Sequence, residues 1–376
     1  MKMLCLSLAE LKPEQIDKYY DREILEFEDG GKVAIDFYPK QKKFEEDAKK
    51  MAKKLKKKEK KLAKAHSKFL KKNNRVGHEN SGSQRSRDLL AAGDEYLKMP
   101  EKEFDKFEVD AEVEFSSLQS KPYEMTLNPN GIEEGPHRSG FNSILSDGGK
   151  IVPKDPTPIV IIIPGTGGTS CDVYLLNAAR YLYKEHGFRS VIANRRGYAG
   201  VPITGKAPLS WVRYQDTDDL VEYLQKVKRY EYIFIMGFSL GGCFTVNYLA
   251  DRALRGEFDG IYGGISVSPP WCLMNTELKV SKKGYVEKYF VTAMQARIKS
   301  HIDNPVFRKY LEEVGIDEEE VFKPRSISKF DEAFSLKLYQ KDTLQNYYDK
   351  FSAKNNVKHV KTKLLTVSSR QDPIIE

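Results

Sequence analysis

Ser239 stands in Gly237-Phe238-Ser239-Leu240-Gly241, a G-x-S-x-G spacing. The apolar run "YIFIMG" (232–237) leads into it, and the helix-forming stretch "GGCFTVNYLADRAL" follows at once. A serine on a sharp strand-to-helix turn carries its hydroxyl above the sheet edge, where it can attack a carbonyl carbon. Gly237 and Gly241 leave room for that turn. The oxyanion formed by such an attack needs N–H donors aimed at it. Leu240 offers one, and the loop "PGTGGTS" (164–170) after the strand "IVIII" offers Thr166 or Gly167 for another. Asp372, in "LLTVSSRQDP", follows the carboxyl end of a strand, from where an acid can orient a histidine. Together these residues suit acyl transfer through a serine ester.

Each has a plainer alternative. G-x-S-x-G also occurs in ordinary tight turns, and "QDP" also opens turns. A Gly-rich loop can cradle phosphate, but this one has no G-K-[ST] and does not match G-x-G-x-x-G. Cys5, Cys171, Cys243 and Cys272 are scattered without a C-x-x-C pair. Neither a disulfide framework nor a zinc site is expected, and no metal or organic cofactor is implied.

The positioning elements follow from periodicity. "REILEFEDGGKVAIDFYP" (22–39) alternates apolar and polar residues around "DGG" and reads as a β-hairpin. Strands are expected at 158–164, 190–195, 232–237, 262–270 and 362–369, and helices at 171–185, 216–227, 241–254 and about 279–300. Strands alternating with helices give crossover units and a mostly parallel sheet. The expected organisation is an N-terminal hairpin (1–39), an insertion (40–150), a core carrying the serine turn (151–270), a helical cap (271–330) and a return to the core (331–376). The cap holds Tyr285, Tyr289, Phe290, Met294, Phe307 and Tyr310. These suit either an apolar acyl pocket or ordinary helix packing.

Charge is concentrated in one place. Lys40–Lys72 contains 16 lysines and 4 acids, net +12, against +8 for the whole chain, so the remainder is net −4. Phe44, Ala48, Met51, Leu55, Leu62, Ala65 and Phe69 form a helical stripe within this segment. A solvated charged helix and a peripheral contact with an anionic membrane both suit the pattern. Nucleic acid is not expected, since no recognised binding fold accompanies the lysines. The remaining insertion, rich in Gly, Ser and polar residues, reads as poorly ordered in part. The opening "MKMLCLSLAE" is too short for the usual secretory layout, and no run reaches the length of a membrane span. The expected location is cytoplasmic, either free or peripheral to a membrane.

The motifs "DGGKVAIDF", "IIIPGTGGTS", "NRRGYAG", "GFSLGG", "VSPPW" and "TVSSRQDP" carry a family resemblance. The chain resembles the α/β-hydrolase branch that includes the mammalian ABHD lipases, fungal medium-chain ester synthase/esterases and bacterial YheT-like hydrolases. The resemblance covers about 21–39 and 157–376. It implies an α/β-hydrolase fold and a serine esterase, lipase or acyltransferase acting on acyl esters or glycerolipids. Ser239 matches the nucleophile, Asp372 the acid, and "PGTGG" the oxyanion side. Cys272, after "PPW", departs from the aspartate common there.

In this fold the triad runs Ser, Asp, His, so the histidine follows the acid. Only four residues follow Asp372. The sequence therefore leads to two expectations: a fragment of an esterase lacking its last strand, helix and histidine, or a non-catalytic lipid- or protein-binding module. Of the histidines present, His301 at the end of the cap helix is the least unfavourable substitute. His186 and His359 precede strands, at the rim opposite Ser239. His66, His78 and His137 lie in the insertion.

Overall fold

The computed structural model describes residues 15–75, 154–205 and 211–375. Two compact units make up the chain, Met1–Ala48 with Gly140–Glu376, and Lys49–Ser139. Most of the insertion expected at 40–150 lies outside the described residues, including His78, His137 and the segment expected to be poorly ordered.

The sheet is built outward from β3 (Ile159–Ile163), five consecutive β-branched residues, all buried. Such a run is stiff at χ1 and fits a strand covered on both faces. Its two sides feed different cores. Ile159, Ile161 and Ile163 pack with Leu220, Leu224 and Phe244, whereas Val160 and Ile162 pack with Leu175, Leu176 and Ala179. The period of two thus places α3 (Tyr214–Lys226) and α4 (Leu240–Leu254) on one face and α2 (Val173–His186) on the other.

The hairpin of β1 (Asp21–Glu26) and β2 (Lys32–Tyr38) turns through Gly30, at φ 77°. Together with β4 (Arg189–Ala193), β5 (Ile233–Phe238), β6 (Gly263–Val267) and β7 (Leu364–Val367) these strands form one sheet in the order β1-β2-β4-β3-β5-β6-β7. β2 runs antiparallel to both of its neighbours, and the five strands β4-β3-β5-β6-β7 are mutually parallel. This mostly parallel sheet, with helices on both faces, is the α/β-hydrolase fold that the motifs implied.

Between β6 and β7 lies a helical region with its own core. The helix expected at about 279–300 is two helices, α5 (Leu273–Ser281) and α6 (Gly284–Lys299). Gly284 falls where a continuous helix would have its interior, and glycine there loses more backbone entropy than any other residue. The chain breaks just before it, at Lys282 and Lys283, and Gly284 opens α6. α7 (Pro305–Glu313) follows, then short segments that include a π-helical turn at Asp331–Ser335, and α8 (Leu344–Phe351). Ile298, Phe307, Leu311, Val321, Phe330 and Phe334 form the core of this region.

The lysine-rich segment is a single helix, α1 (Gln41–Arg75). Its first turns dock on the sheet body: Phe44 packs on Tyr183 with ring centroids 6.4 Å apart, and Arg189 lies 4.8 Å over the Phe44 ring. The Tyr183 hydroxyl donates to Asp47 at 3.2 Å. Phe44 therefore serves the body rather than a free apolar stripe. Among the described residues no helix is long and apolar enough to cross a membrane, and no cluster of three or more potential metal ligands occurs.

Candidate active site

β5 ends at Phe238 and α4 begins at Leu240, which leaves Ser239 alone at the junction with φ 52° and ψ −121°. A non-glycine residue in this region is strained and must be held there by its surroundings. The backbone supplies the restraint. The Ser239 N–H donates to Val267 O at 2.8 Å, and the Ser239 carbonyl accepts from Gly242 and Cys243 at 2.8 and 3.1 Å. Both flanking glycines are sterically required. A Cβ at Gly237 would run into the Gly241 carbonyl, and one at Gly241 would run into the carbonyls of Ile163 and Pro164.

Beside the serine lies the loop that follows β3. A Cβ built at Gly165 would sit 3.3 Å from Ser239 Cβ, so the loop passes close against Ser239. Two side chains grip it. Arg195 donates through Nη1 to Gly165 O at 2.9 Å and through Nη2 to Pro164 O at 2.8 Å. The Gly165 N–H donates to the Tyr174 hydroxyl at 3.1 Å, and the Tyr174 ring packs edge-on against Phe238. Burial pushes the Tyr174 hydroxyl up to about 12 and lowers the Arg195 guanidinium from its ordinary value. Gly167 turns the loop at φ 71°. Among the described residues no acceptor takes the backbone N–H of Thr166, Gly167 or Leu240. These three groups remain available to an oxyanion.

Asp372 sits in the turn after β7. Its Oδ1 accepts from the N–H groups of Ile374 and Ile375 at 2.8 and 2.9 Å. Two lysines of the cap hold the same turn by its carbonyls: Lys279 Nζ donates to Asp372 O at 3.1 Å and to Ile375 O at 2.7 Å, and Lys283 Nζ donates to Pro373 O.

Ser239, Thr166, Gly167 and Asp372 line one cavity of about 460 Å³, with Tyr289, Phe290 and Arg297 on the cap side. Ser239 and Leu240 line a second, of about 160 Å³, walled by Trp211, Phe290, Met294 and Tyr347 and containing Glu277 and Asp331. Every residue singled out around the serine motif thus borders one of these two spaces, apart from the elbow glycines beneath them. The apolar cap residues divide. Tyr289, Phe290 and Met294 border the cavities, Phe307 is buried in the cap's own core, and Tyr285 is 75% exposed.

No described histidine borders either space. His301 Nε2 pairs with the Gly197 carbonyl at 2.6 Å, and burial lowers its proton affinity. His186 lies at the carboxyl end of α2 against Tyr181 and Phe188, and His359 in the short turn Val357–His359 ahead of β7. Sequence reasoning missed Arg195, Tyr174 and Lys279, whose partners are backbone groups, nine residues away for Tyr174 and thirty or more for the other two. It missed Asp331 as well. That carboxyl is buried in the π-helical turn, accepts from Ser335 Oγ at 2.5 Å and Tyr348 Oη at 2.8 Å, and is pushed up to about 6 by burial.

Comparison with known proteins agrees with the motif resemblance. No family model matches the chain. It is 30% identical over 229 residues to an abhydrolase domain-containing protein of Dictyostelium discoideum, covering 59% of this chain and 55% of that protein. It is 25% identical over 219 residues to the phospholipase ABHD3 of Mus musculus, covering 57% and 50%. With the monoacylglycerol lipase of Saccharomyces cerevisiae it shares 22% identity over 263 residues, covering 68% and 56%. The chain thus spans about half the length of the curated relatives it matches. Among solved structures, VinJ is similar at 16% identity with TM-score 0.32, covering 58% of this chain and 75% of that one. The fold assignment rests on the strand order.

Proposed function

For this chain, an α/β-hydrolase related to the abhydrolase-domain proteins, we propose a serine hydrolase of lipid esters with medium- or long-chain acyl groups. The observation that carries the proposal is the strained Ser239 on its elbow, sharing one cavity with Asp372 and with the unpaired N–H groups of Thr166 and Gly167. Ser239 Oγ attacks the ester carbonyl and gives its proton to a general base, the part a triad histidine plays; no described histidine borders the site. The carbonyl oxygen gains negative charge and is held by Leu240 N–H together with Thr166 or Gly167 N–H. The tetrahedral intermediate collapses, the alcohol leaves with the proton, and water, or an acceptor alcohol in acyl transfer, then cleaves the acyl-serine. Asp372 orients that base. Both of its described bonds use Oδ1, so Oδ2 is available to an imidazole N–H. Names of relatives such as phospholipase and monoacylglycerol lipase support a lipid ester as substrate.

A second reading is a lipid- or protein-binding module without turnover. It is favoured by the absence of a histidine from the two Ser239 cavities among the described residues. A fluorophosphonate probe applied to the full-length protein separates the two. The enzyme reading expects labelling that disappears in Ser239→Ala, with turnover of a medium-chain ester lowered on the order of a million-fold. Absence of labelling in the folded wild-type protein overturns the enzyme reading and leaves the binding module.

A cytoplasmic location is proposed, and the buried thiols of Cys243 and Cys272 suit a reducing compartment. Helix α1 is proposed as a peripheral contact with anionic lipid.

A further inference from the structure

The loop beside Ser239 offers two N–H groups, and the hydrogen bonds around it distinguish them. A trans peptide is planar, so the carbonyl of one residue and the N–H of the next point in opposite directions. The Pro164–Gly165 peptide is fixed at both ends, its oxygen by Arg195 Nη2 and its N–H by the Tyr174 hydroxyl. The Gly165–Thr166 peptide is fixed at its oxygen, which accepts from Arg195 Nη1 at 2.9 Å and from Gly168 N–H at 3.2 Å. Its N–H, that of Thr166, then has a set direction and no acceptor among the described residues. Gly167 N–H belongs to the next peptide, whose oxygen, that of Thr166, accepts from none of the described groups.

Arg195 differs from its neighbour. Arg196 is matched by Asp29 and Asp216 at 2.7 and 2.8 Å. Arg195 pairs with no carboxylate among the described residues, and its two hydrogen bonds both go to carbonyls of this loop. A cationic donor on a peptide oxygen draws electron density through the amide and makes the opposite N–H a stronger donor.

From this geometry we infer that Arg195 is a positioning residue for ester cleavage: its grip on the Gly165 carbonyl aims and polarises the Thr166 N–H as the second oxyanion donor. The inference rests on the serine-hydrolase reading and selects Thr166 over Gly167. The arginine touches no reacting atom. It acts through one peptide unit, and its effect grows as negative charge develops on the substrate oxygen. Ground-state binding of the ester therefore depends on it little, and the transition state depends on it strongly.

The experiment uses the full-length protein with Arg195→Met and Arg195→Lys, a soluble butyrate ester, and a trifluoromethyl ketone that forms an oxyanion on Ser239. For Arg195→Met the expected result is kcat lower by about 100-fold with KM within about twofold, as for loss of an oxyanion donor. Inhibition by the ketone weakens by a similar factor. Arg195→Lys, which keeps a charged donor for one carbonyl, falls between. The thermal midpoint separates this role from a structural one: Lys and wild type should match in midpoint and differ in kcat. The inference is overturned if folded Arg195→Met keeps kcat within about threefold, or if kcat in Arg195→Lys equals wild type although Met has lost it through unfolding. Either result, with wild-type Ser239 still labelled by fluorophosphonate, leaves the hydrolase reading standing. Failure of wild-type labelling removes both.

Discussion

Asp331 is a single residue whose burial makes a measurable demand. Its carboxyl accepts hydrogen bonds from two neutral hydroxyls, and burial, the largest influence, raises its pKa from 3.8 to about 6. Glu277 lines the same small cavity and adds like charge. A raised folded-state value means that between about pH 4 and pH 6 the native protein binds more protons here than the unfolded chain. Stability from this group is therefore present below pH 4 and lost as pH rises through 6, by an amount on the order of 3 kcal/mol. Asp331→Asn has nothing to titrate. The unfolding free energy of wild type relative to Asp331→Asn should fall between pH 4 and 6 and level off above. Denaturant titrations of both proteins across that range check it, and parallel curves would count against the assignment. Nothing in the sequence marks Asp331, because its hydroxyl partner on Tyr348 lies 17 residues away.

At the scale of elements, the strands were legible because each is a local burial pattern. The expected strand at 158–164 is β3 at Ile159–Ile163, and that at 232–237 is β5 at Ile233–Phe238. The serine turn was legible too, since strand, Gly-x-Ser-x-Gly and helix are contiguous. The split between α5 and α6 was not, because periodicity carries no information on where a helix pauses. The antiparallel pairing of β2 with β4, such as Phe37 with Val191, joins residues too distant for any local signal. The clamp of Arg195 and Tyr174 was hidden for another reason, as side chains reaching backbone groups leave no spacing to read. Helix α1 gives the test proper to an element. Its lysines concentrate positive charge, and each lysine near an anionic surface contributes about 1 kcal/mol of attraction. Full-length protein should co-sediment with vesicles containing phosphatidylserine and not with neutral phosphatidylcholine vesicles, and binding should fall as salt rises. Substituting Lys53, Lys54, Lys56 and Lys57 by Gln should abolish it. Equal binding to both kinds of vesicle would leave the helix a solvated one.

For the molecule as a whole, the question is how residues 15–38 are held to a core that begins again at Ile159. Sheet pairing through β2 is one tie, burial of Leu25, Phe27 and Val33 in the main core is a second, and an ion network is a third. Arg196, with its side chain only 2% exposed, bonds Asp29 in the hairpin turn at 2.7 Å and Asp216 at the start of α3 at 2.8 Å. Arg213 bonds the same two carboxylates at 3.0 and 2.6 Å. The arrangement alternates charge around four side chains, and the pairing with Arg196 helps hold Asp29 below its usual carboxylate range. Gly31 is needed beside it, because a Cβ there would collide with the Arg196 guanidinium. Removing Arg196 leaves two partly buried carboxylates facing each other with only the more exposed Arg213 between them. Breaking one partner out of a buried pair costs about 3–5 kcal/mol, so Arg196→Met should lower the unfolding free energy by roughly that amount. Replacing Asp29 by Asn should cost less, since Arg196 retains Asp216. If the hairpin is integral to the core, Arg196→Met unfolds in one transition shifted to lower denaturant, with an unchanged slope. If the network alone secures it, an early transition appears first, with the smaller slope of a hairpin leaving an otherwise folded sheet. A loss below about 1 kcal/mol would reduce the network to the value of an ordinary surface pair, and β2 pairing and core burial would then be the ties that matter.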